Sequence, residues 1–130
     1  MAGNDTLANA LSMLNQYDSM GKTTLRVQPV SSLIERVFRL LHENHYVGSY
    51  TLSTYGGHPS IVLQLLGRIN KCGVIKPRFS VTVADYQKYE QRYLIAKDFG
   101  ILIVSTPNGL MTHKEAIKKK LGGKLIAYCY

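Results

Sequence analysis

A wide apolar stripe on one predicted helix constrains the fold of this chain more than any other feature. Ser32 and Glu35 have the spacing of a capping box, so we predict a helix with Ser32 as its N-cap residue. One face of this helix is apolar and carries Leu33, Ile34, Val37, Phe38 and Leu41. Because such a stripe has to be buried against a second layer, the chain needs a sheet beside this helix.

The segments on either side of the helix supply that sheet and a further helix. Asp5 is a suitable cap for a first helix, which should stop near Gly21. Leu25 and Val27 then alternate as in a short strand. A hairpin is predicted from two stretches around a diglycine turn: Tyr50, Leu52 and Thr54, then Gly56-Gly57, then Ile61 to Leu66. The first half is therefore expected to be α-β-α-β-β.

The pattern changes near Gly67, where we place a boundary between subdomains of residues 1–66 and 67–130. Short strands are predicted after it: Phe79, Val81 and Val83 in alternation, a buried run from Ile101 to Val104, and a last strand from Leu125 to Tyr130. The predicted class is α/β (α+β), in which the α-β-α-β-β half packs on a β-rich half with a short basic helix.

Three tyrosines, Tyr86, Tyr89 and Tyr93, share one face of a short helix predicted between these strands. Lys88 and Arg92 lie next to them in the sequence. Tyrosines at this spacing usually pack in a core, which is the interpretation that we favour. Stacking on unpaired bases is the alternative.

Two hydroxyl residues, Ser105 and Thr106, end the β-branched run and precede a Pro107-Asn108-Gly109 turn. We expect both hydroxyls to be exposed at a strand end, close to the start of a helix. That helix should begin at Thr112, which has capping-box spacing with Glu115, and should direct backbone N–H groups outward. The same residues are also typical of a simple polar turn before a helix.

The net charge of the chain is confined to its second half. Residues 1–65 carry four basic and four acidic side chains, whereas residues 66–130 carry 12 basic and four acidic ones, which gives the whole net charge of +8. A basic excess often serves only solubility, but here it coincides with the hydroxyl-rich turn. Nucleic acid is therefore the predicted partner.

The residues of this segment have the chemistry that RNA recognition needs. Ser105, Thr106 and Asn108 can donate and accept hydrogen bonds, which suits base edges and 2′-hydroxyls. Gly109 lets a sugar-phosphate backbone approach, and a phosphate suits the helix start at Thr112. Long-range attraction is expected from the lysines that follow, some of which will only face water: Lys114, Lys118, Lys119, Lys120 and Lys124.

Signals for other chemistry are weak. The segment from Gly21 to Thr24 resembles the end of a phosphate-binding loop, but the required earlier glycine is replaced by Gln16. Ser105 with His113 as its base stays open as a nucleophile pair, although no Gly-x-Ser-x-Gly elbow and no orienting group are evident. We therefore expect no enzyme, no cofactor, no metal site and no small-molecule substrate.

Features that would place the protein outside the cytoplasm are not found in the sequence. Cys72 and Cys129 are isolated, so two reduced thiols are expected and a zinc ribbon is not. The start of the chain lacks the basic and long apolar parts of a secretory signal, and no run approaches a membrane helix in length. We expect a cytoplasmic protein with no membrane partner.

Motifs along the whole chain are highly specific in combination. They are Asp5-Thr-Leu-Ala-Asn-Ala-Leu11, Gly67-Arg-Ile-Asn-Lys-Cys-Gly-Val-Ile-Lys-Pro-Arg-Phe79, Asp98-Phe-Gly-Ile-Leu-Ile-Val-Ser-Thr106, Gly109-Leu-Met111, His113, Glu115-Ala116 and Gly122-Gly123. Through them the sequence resembles the small-subunit ribosomal protein eight family, called fifteen-A in eukaryotes, in its archaeal and eukaryotic form.

The resemblance implies a primary binder of small-subunit ribosomal RNA in the cytoplasm, without catalytic activity. Such a protein docks early on a helix of the central domain and supports its assembly beside neighbouring small-subunit ribosomal proteins. The implied RNA contacts are Ser105, Thr106, Asn108 and Gly109, then Gly122, Gly123 and Lys124, and at the first helix Asp5 and Asn9. Family members usually carry Ser or Thr in place of Pro107, so a hydroxyl and a backbone N–H are missing there.

A protein-interaction module with a non-specific basic surface is the alternative function. Such a module would keep its affinity at high salt, whereas binding through phosphates weakens steeply as the salt concentration rises. A small hydrolase, the enzymatic alternative, would lose turnover completely in the Ser105→Ala variant.

Overall fold

The computed structural model describes residues 6–28, 30–76, 78–94 and 99–130. Helices and antiparallel strands both contribute, so the chain has the α+β class predicted from its sequence. No helix within these ranges is both long enough and apolar enough to cross a membrane. In chain order the elements are α1 (Thr6–Ser19), β1 (Thr24–Val27), α2 (Ser32–Glu43), β2 (Val47–Tyr55), β3 (His58–Leu65), β4 (Cys72–Val74), β5 (Ser80–Val81), a 3₁₀ turn (Val83–Asp85), α3 (Tyr86–Tyr93), β6 (Ile101–Thr106), β7 (Gly109–Thr112), α4 (His113–Lys118) and β8 (Gly123–Cys129).

The chain divides into two compact units, Met1–Asn70 and Lys71–Tyr130. Hydrogen bonds hold residues 67–69 in the first unit. The buried carboxylate of Asp18, in α1, accepts the backbone N–H of Gly67 at 3.0 Å and that of Ile69 at 3.1 Å. The predicted subdomains of residues 1–66 and 67–130 stay a prediction.

The first unit has the predicted order α-β-α-β-β and contains a three-stranded antiparallel sheet, β1-β3-β2. Leu25 lies opposite Leu63, and Val27 lies opposite Ile61, so these apolar side chains share one face. Helix α2 contacts β2, and the predicted stripe is buried through Ile34, Val37, Phe38 and Leu41. The stripe that required a sheet therefore forms the core of this unit.

The cap of α2 differs from the prediction, because Ser31 and not Ser32 is the N-cap residue. The Ser31 hydroxyl accepts the backbone N–H of Ile34 at 3.2 Å. Its carbonyl accepts the first intrahelical bond, from Glu35 N–H at 3.0 Å, which is what defines an N-cap. Two adjacent serines allow either register from the sequence, and Ser32 already lies within the helix.

The second unit contains a five-stranded sheet in which β8 is central. The strand order is β4-β8-β6-β7, and β5 also pairs with β8. The prediction that Val83 continues strand β5 is wrong, since it begins a 3₁₀ turn. The turn forms because the Asp85 carboxylate accepts both the backbone N–H and the hydroxyl of Thr82, each at 3.1 Å.

The tyrosines of α3 are packing residues, as the sequence favoured. Tyr86 is fully buried in the core of the second unit. Tyr89 stacks on Phe79 with ring centroids 5.4 Å apart, and Tyr93 stacks on Tyr128 of β8 at 5.7 Å. The rings of Tyr89 and Tyr93 are partly buried and pack against the core cluster, so they anchor α3 on the sheet.

Candidate nucleic-acid interface

Strands β6 and β7 form a hairpin that carries the hydroxyl-rich turn at its tip. Thr106 lies opposite Gly109, so Pro107 and Asn108 are the loop residues. Proline fixes a negative φ, and the positive φ that the reversal requires, 111°, falls on Gly109. A Cβ at Gly109 would meet no atom within 4 Å. The backbone of the turn is therefore open to a ligand on this side.

Thr106 closes the turn with its own side chain. Its hydroxyl donates to the Gly109 carbonyl at 2.8 Å and accepts the Asn108 N–H at 3.2 Å. The residue is 8% exposed, so the prediction of an exposed hydroxyl at Thr106 is wrong. The sequence does not reveal this because a threonine hydroxyl at a strand end suits an external ligand and an internal turn bond equally well.

Ser105 faces the other side of the sheet from Thr106, because consecutive residues of a strand alternate in direction. It lies opposite Leu110 of β7 and opposite Lys124 of β8. Lys124 in turn lies opposite Ser80 of β5. Since directly opposed residues share a face, these side chains form one row across four strands. We call the row of Ser80, Lys124, Ser105 and Leu110 the tip row.

The tip row lies on the face of the sheet that points away from the core cluster of this unit. Val104 and Leu125, which flank the row in sequence, are fully buried in that cluster. Ser80 and Lys124 are exposed, whereas Ser105 and its neighbour on β7 are half-buried. No described residue forms a hydrogen bond with the Ser105 hydroxyl. This hydroxyl is therefore available to donate to and accept from a ligand.

The diglycine allows the last strand to reach the tip row. A Cβ on Gly123 would meet the carbonyl oxygen of Ser105, and one on Gly122 would lie 2.6 Å from the carbonyl oxygen of Val81. Side chains do not tolerate such approaches, so glycine is needed for β8 to pair with β5 and β6 here. Gly122 and Gly123 have this packing role, and their contact with RNA stays a prediction.

Strand β7, which was not predicted from the sequence, separates the turn from α4. Thr112 caps α4 as expected, since its hydroxyl accepts the Glu115 N–H at 3.3 Å. However, Thr112 is 8% exposed and lies opposite Ile103 within the sheet. The strand advances about 10 Å between Gly109 and Thr112. The prediction that the helix start lies beside the hydroxyl-rich turn is therefore wrong.

The lysines after Thr112 differ in their surroundings. Lys114 and Lys118 are exposed on α4, and Lys119 pairs with a glutamate one turn earlier at 3.3 Å. Lys120 follows the helix end with a φ of 57°. Lys124 is the member of this group that belongs to the tip row, beside Ser105. The other lysines are placed to contribute long-range attraction.

The sequence left open that His113 acts as a base for Ser105 as nucleophile. This alternative is wrong, because both imidazole nitrogens of His113 already form hydrogen bonds within the protein. Nδ1 of His113 accepts the Leu102 N–H at 3.1 Å, which places the ring proton on Nε2. Nε2 donates to the Glu90 carboxylate at 2.7 Å, and the residue is 1% exposed. Within the described ranges, no three His, Cys, Asp or Glu side chains are placed to hold a metal.

The remaining predicted contacts belong to the first unit. Asn9 is exposed on α1. Asp5 lies outside the described residues. The RNA contacts expected of these two residues stay predictions.

At two members of the tip row, Ser80 and Leu110, no RNA contact was predicted from the sequence. A signal for Leu110 was present, because a Pro-Asn-Gly turn between two apolar stretches is typical of a hairpin. Ser80 had no comparable signal. A two-residue strand is too short for a period, and its register against β8 follows from tertiary pairing.

A comparison with known protein families extends over both units. The family model described as Ribosomal protein S8 matches residues 5–130. The matched range contains the whole tip row, the turn beside it and the diglycine.

Proposed function

Because the chain belongs to the ribosomal protein S8 family, we propose that this ribosomal protein binds small-subunit ribosomal RNA through its tip row and the adjacent turn. One observation carries the proposal. Ser105, whose hydroxyl has no hydrogen-bond partner among the described residues, is half-buried and lies directly opposite the exposed Lys124. A neutral donor and acceptor next to a cation suits the base or 2′-hydroxyl and the phosphate of a nucleotide.

Ser105 and Lys124 would make complementary contacts to one nucleotide. The hydroxyl donates to a base acceptor or accepts from a 2′-hydroxyl, and the ammonium binds a phosphate oxygen. Directly opposed residues have Cβ atoms about 5 Å apart, which is within the reach of a single nucleotide. Because Ser105 is half-buried, water replaces its hydrogen bond less easily than at an exposed site.

The turn would add contacts of a different kind. The exposed amide of Asn108 donates and accepts, and open space at Gly109 lets a sugar-phosphate backbone approach. Pro107 offers no backbone N–H. Thr106 uses its hydroxyl within the turn, so we assign it the role of holding the turn in shape.

The charge of the second unit would supply most of the attraction at a distance. Residues 71–130 contain 11 basic and four acidic side chains. Each phosphate that they neutralise releases condensed counterions, so affinity is expected to fall steeply as salt rises. This term brings RNA to the unit without reading its sequence, which leaves specificity to the tip row and the turn.

The protein also needs a defined docking place on the RNA. We assign it to a helix of the central domain of small-subunit RNA, early in assembly and beside neighbouring ribosomal proteins. The groove of A-form RNA that side chains can reach is wide and shallow and displays 2′-hydroxyls. Short hydroxyl side chains in one row across neighbouring strands, such as Ser80 and Ser105, suit that surface.

A competition titration tests this function. Labelled central-domain RNA is titrated with the protein at two salt concentrations, in the presence of an unrelated duplex of equal length. We expect tight binding that resists the competitor and weakens at the higher salt concentration. Equal binding to both RNAs would contradict specific recognition and leave a non-specific basic surface.

Two lysine variants sharpen the same experiment. Lys124→Ala should weaken binding to the central-domain RNA, whereas Lys119→Ala, the matched control, should have a smaller effect because its ammonium is paired outside the tip row. Equal losses in the two variants would show that only total charge matters.

A further inference from the structure

The two cysteines of the chain meet across the second sheet, although residues 73–128 separate them in sequence. Cys72 of β4 lies directly opposite Cys129 of β8 in an antiparallel pair. Directly opposed residues project from the same face of a sheet, so the two side chains point the same way. The pairing of isolated cysteines is a property of the register and is not evident in the sequence.

The neighbouring hydrogen bonds identify which kind of pair the cysteines form. Lys71 N–H donates to the Tyr130 carbonyl at 2.9 Å, and Tyr130 N–H donates to the Lys71 carbonyl at 2.9 Å. Residues 71 and 130 are thus a hydrogen-bonded pair. Because the two kinds of pair alternate along antiparallel strands, Cys72 and Cys129 form a non-hydrogen-bonded pair. The bond from Ile75 N–H to the Ile126 carbonyl, at 3.0 Å, fits the same alternation.

A non-hydrogen-bonded pair has the geometry that a disulfide needs. Its Cα atoms are about 4.5 Å apart, and its side chains approach more closely than those of the other kind of pair. Disulfides span Cα separations of about 4.4–6.8 Å. The backbone therefore already holds both cysteines at a distance that one covalent bond can bridge.

We infer that Cys72 and Cys129 form an intramolecular cross-strand disulfide when the protein meets a small oxidant such as hydrogen peroxide. One thiolate attacks the peroxide oxygen, which gives a sulfenic acid and one water after proton transfer. The second thiolate attacks the sulfenic sulfur, the S–S bond forms, and a second water leaves. Two thiols and one peroxide thus give one disulfide and two waters.

Burial determines which oxidants reach this pair. Cys72 is 5% exposed and Cys129 is 0% exposed, and both are thiols in the structure. A small neutral oxidant enters through brief local opening of the strands, whereas a bulky one is excluded. In a reducing cytoplasm the pair stays reduced, and it becomes a disulfide under oxidative stress.

The disulfide would fasten the short strand β4 to the central strand β8. The tip row lies at the other end of β8, where Lys124 pairs with Ser105. Oxidation should therefore make the second unit harder to unfold and leave RNA binding within twofold of its reduced value. The inference is independent of the proposed RNA site.

Mapping the bond in folded protein is the first test. The protein is treated with hydrogen peroxide, remaining thiols are blocked, and the trypsin fragments are analysed by mass spectrometry. We expect fragments 72–78 and 125–130 joined by a bond that a reducing agent breaks. In the Cys129→Ser variant this linked pair should be absent. Disulfides between molecules, or sulfinic acids without linked fragments, would overturn the inference.

A second test needs no variant. The equilibrium between dithiol and disulfide is measured against glutathione, once in native buffer and once in urea. If the fold presents the thiols to each other, the equilibrium constant should be at least about tenfold higher in the native protein. A native constant equal to or below that in urea would overturn the inference, because the register would then strain the bond.

Discussion

Alanine at Ser105 and alanine at Thr106 should have different effects, because we assign Ser105 to RNA recognition and Thr106 to the stability of the turn. The Ser105 hydroxyl has no hydrogen-bond partner among the described residues, so Ser105→Ala should change the free energy of unfolding by less than about 0.5 kcal/mol. Thr106→Ala removes one donated and one accepted hydrogen bond. At about 0.5–1.5 kcal/mol net for each bond, it should cost about 1–3 kcal/mol.

The two variants should have the opposite order in RNA affinity. Ser105→Ala removes a half-buried contact and should cost about 1–2 kcal/mol, which is about 5- to 30-fold in Kd. Thr106→Ala should cost less once the unfolded fraction is corrected for, because its hydroxyl lies on the other face of the sheet. Residual loss in that variant would reflect a looser turn.

Urea denaturation followed by circular dichroism gives the stability, and anisotropy titration of labelled central-domain RNA gives the affinity. Thr106→Ser is the matched control, since it keeps the hydroxyl and loses one methyl group. It should recover most of the stability that Thr106→Ala loses. If Thr106→Ser is as unstable as Thr106→Ala, the Thr106 hydroxyl does not stabilise the turn. If both alanine variants lose equal affinity at unchanged stability, the two hydroxyls do not have separate roles.

Three other changes test the surroundings of the site. Gly123→Ala places a Cβ against the Ser105 carbonyl and should lower the free energy of unfolding by about 1–3 kcal/mol, together with RNA affinity; unchanged urea curves would contradict the close approach. Lys120→Gly relieves a φ of 57° and should raise stability by up to about 1 kcal/mol, and a loss in the urea midpoint would show that no strain was present. Hydrogen bonds from the Thr82 backbone and side chain lower the pKa of Asp85 below its ordinary 3.8, so the stabilisation is complete above pH 3.8 and is lost as the pH falls through the lowered pKa. In Asp85→Asn, the temperature of thermal unfolding should therefore fall less steeply than in the parent protein as the pH is lowered. Parallel pH curves for variant and parent would refute this role of Asp85.

Elements that bury several apolar residues could be predicted from the sequence. The stripe of α2 and the buried run of β6 were confirmed because burial acts on many residues at once, so an error of one residue does not change the pattern. The choice between Ser31 and Ser32 as the cap depends on a single hydrogen bond. The sequence does not show which of two neighbouring serines makes one such bond.

The arrangement of the candidate site was less predictable, because it depends on register. Alternation sends the adjacent hydroxyls of Ser105 and Thr106 to opposite faces, and the length of β7 moves Thr112 away from the turn. The partners of Ser105 on β5 and β8 come from pairing between distant segments. The residue types therefore indicated RNA binding. The face of the sheet on which these residues lie could be identified only from the pairing of the strands.

Lysine protection by RNA tests most directly whether the tip row is the contact surface. The protein is acetylated briefly with and without saturating central-domain RNA, and the rate at each lysine is read by mass spectrometry. Lys124 should be protected strongly by this RNA and little by an unrelated duplex, while Lys119 changes less in both cases. An unchanged rate at Lys124, with protection of lysines elsewhere, would contradict RNA binding by this face of the sheet.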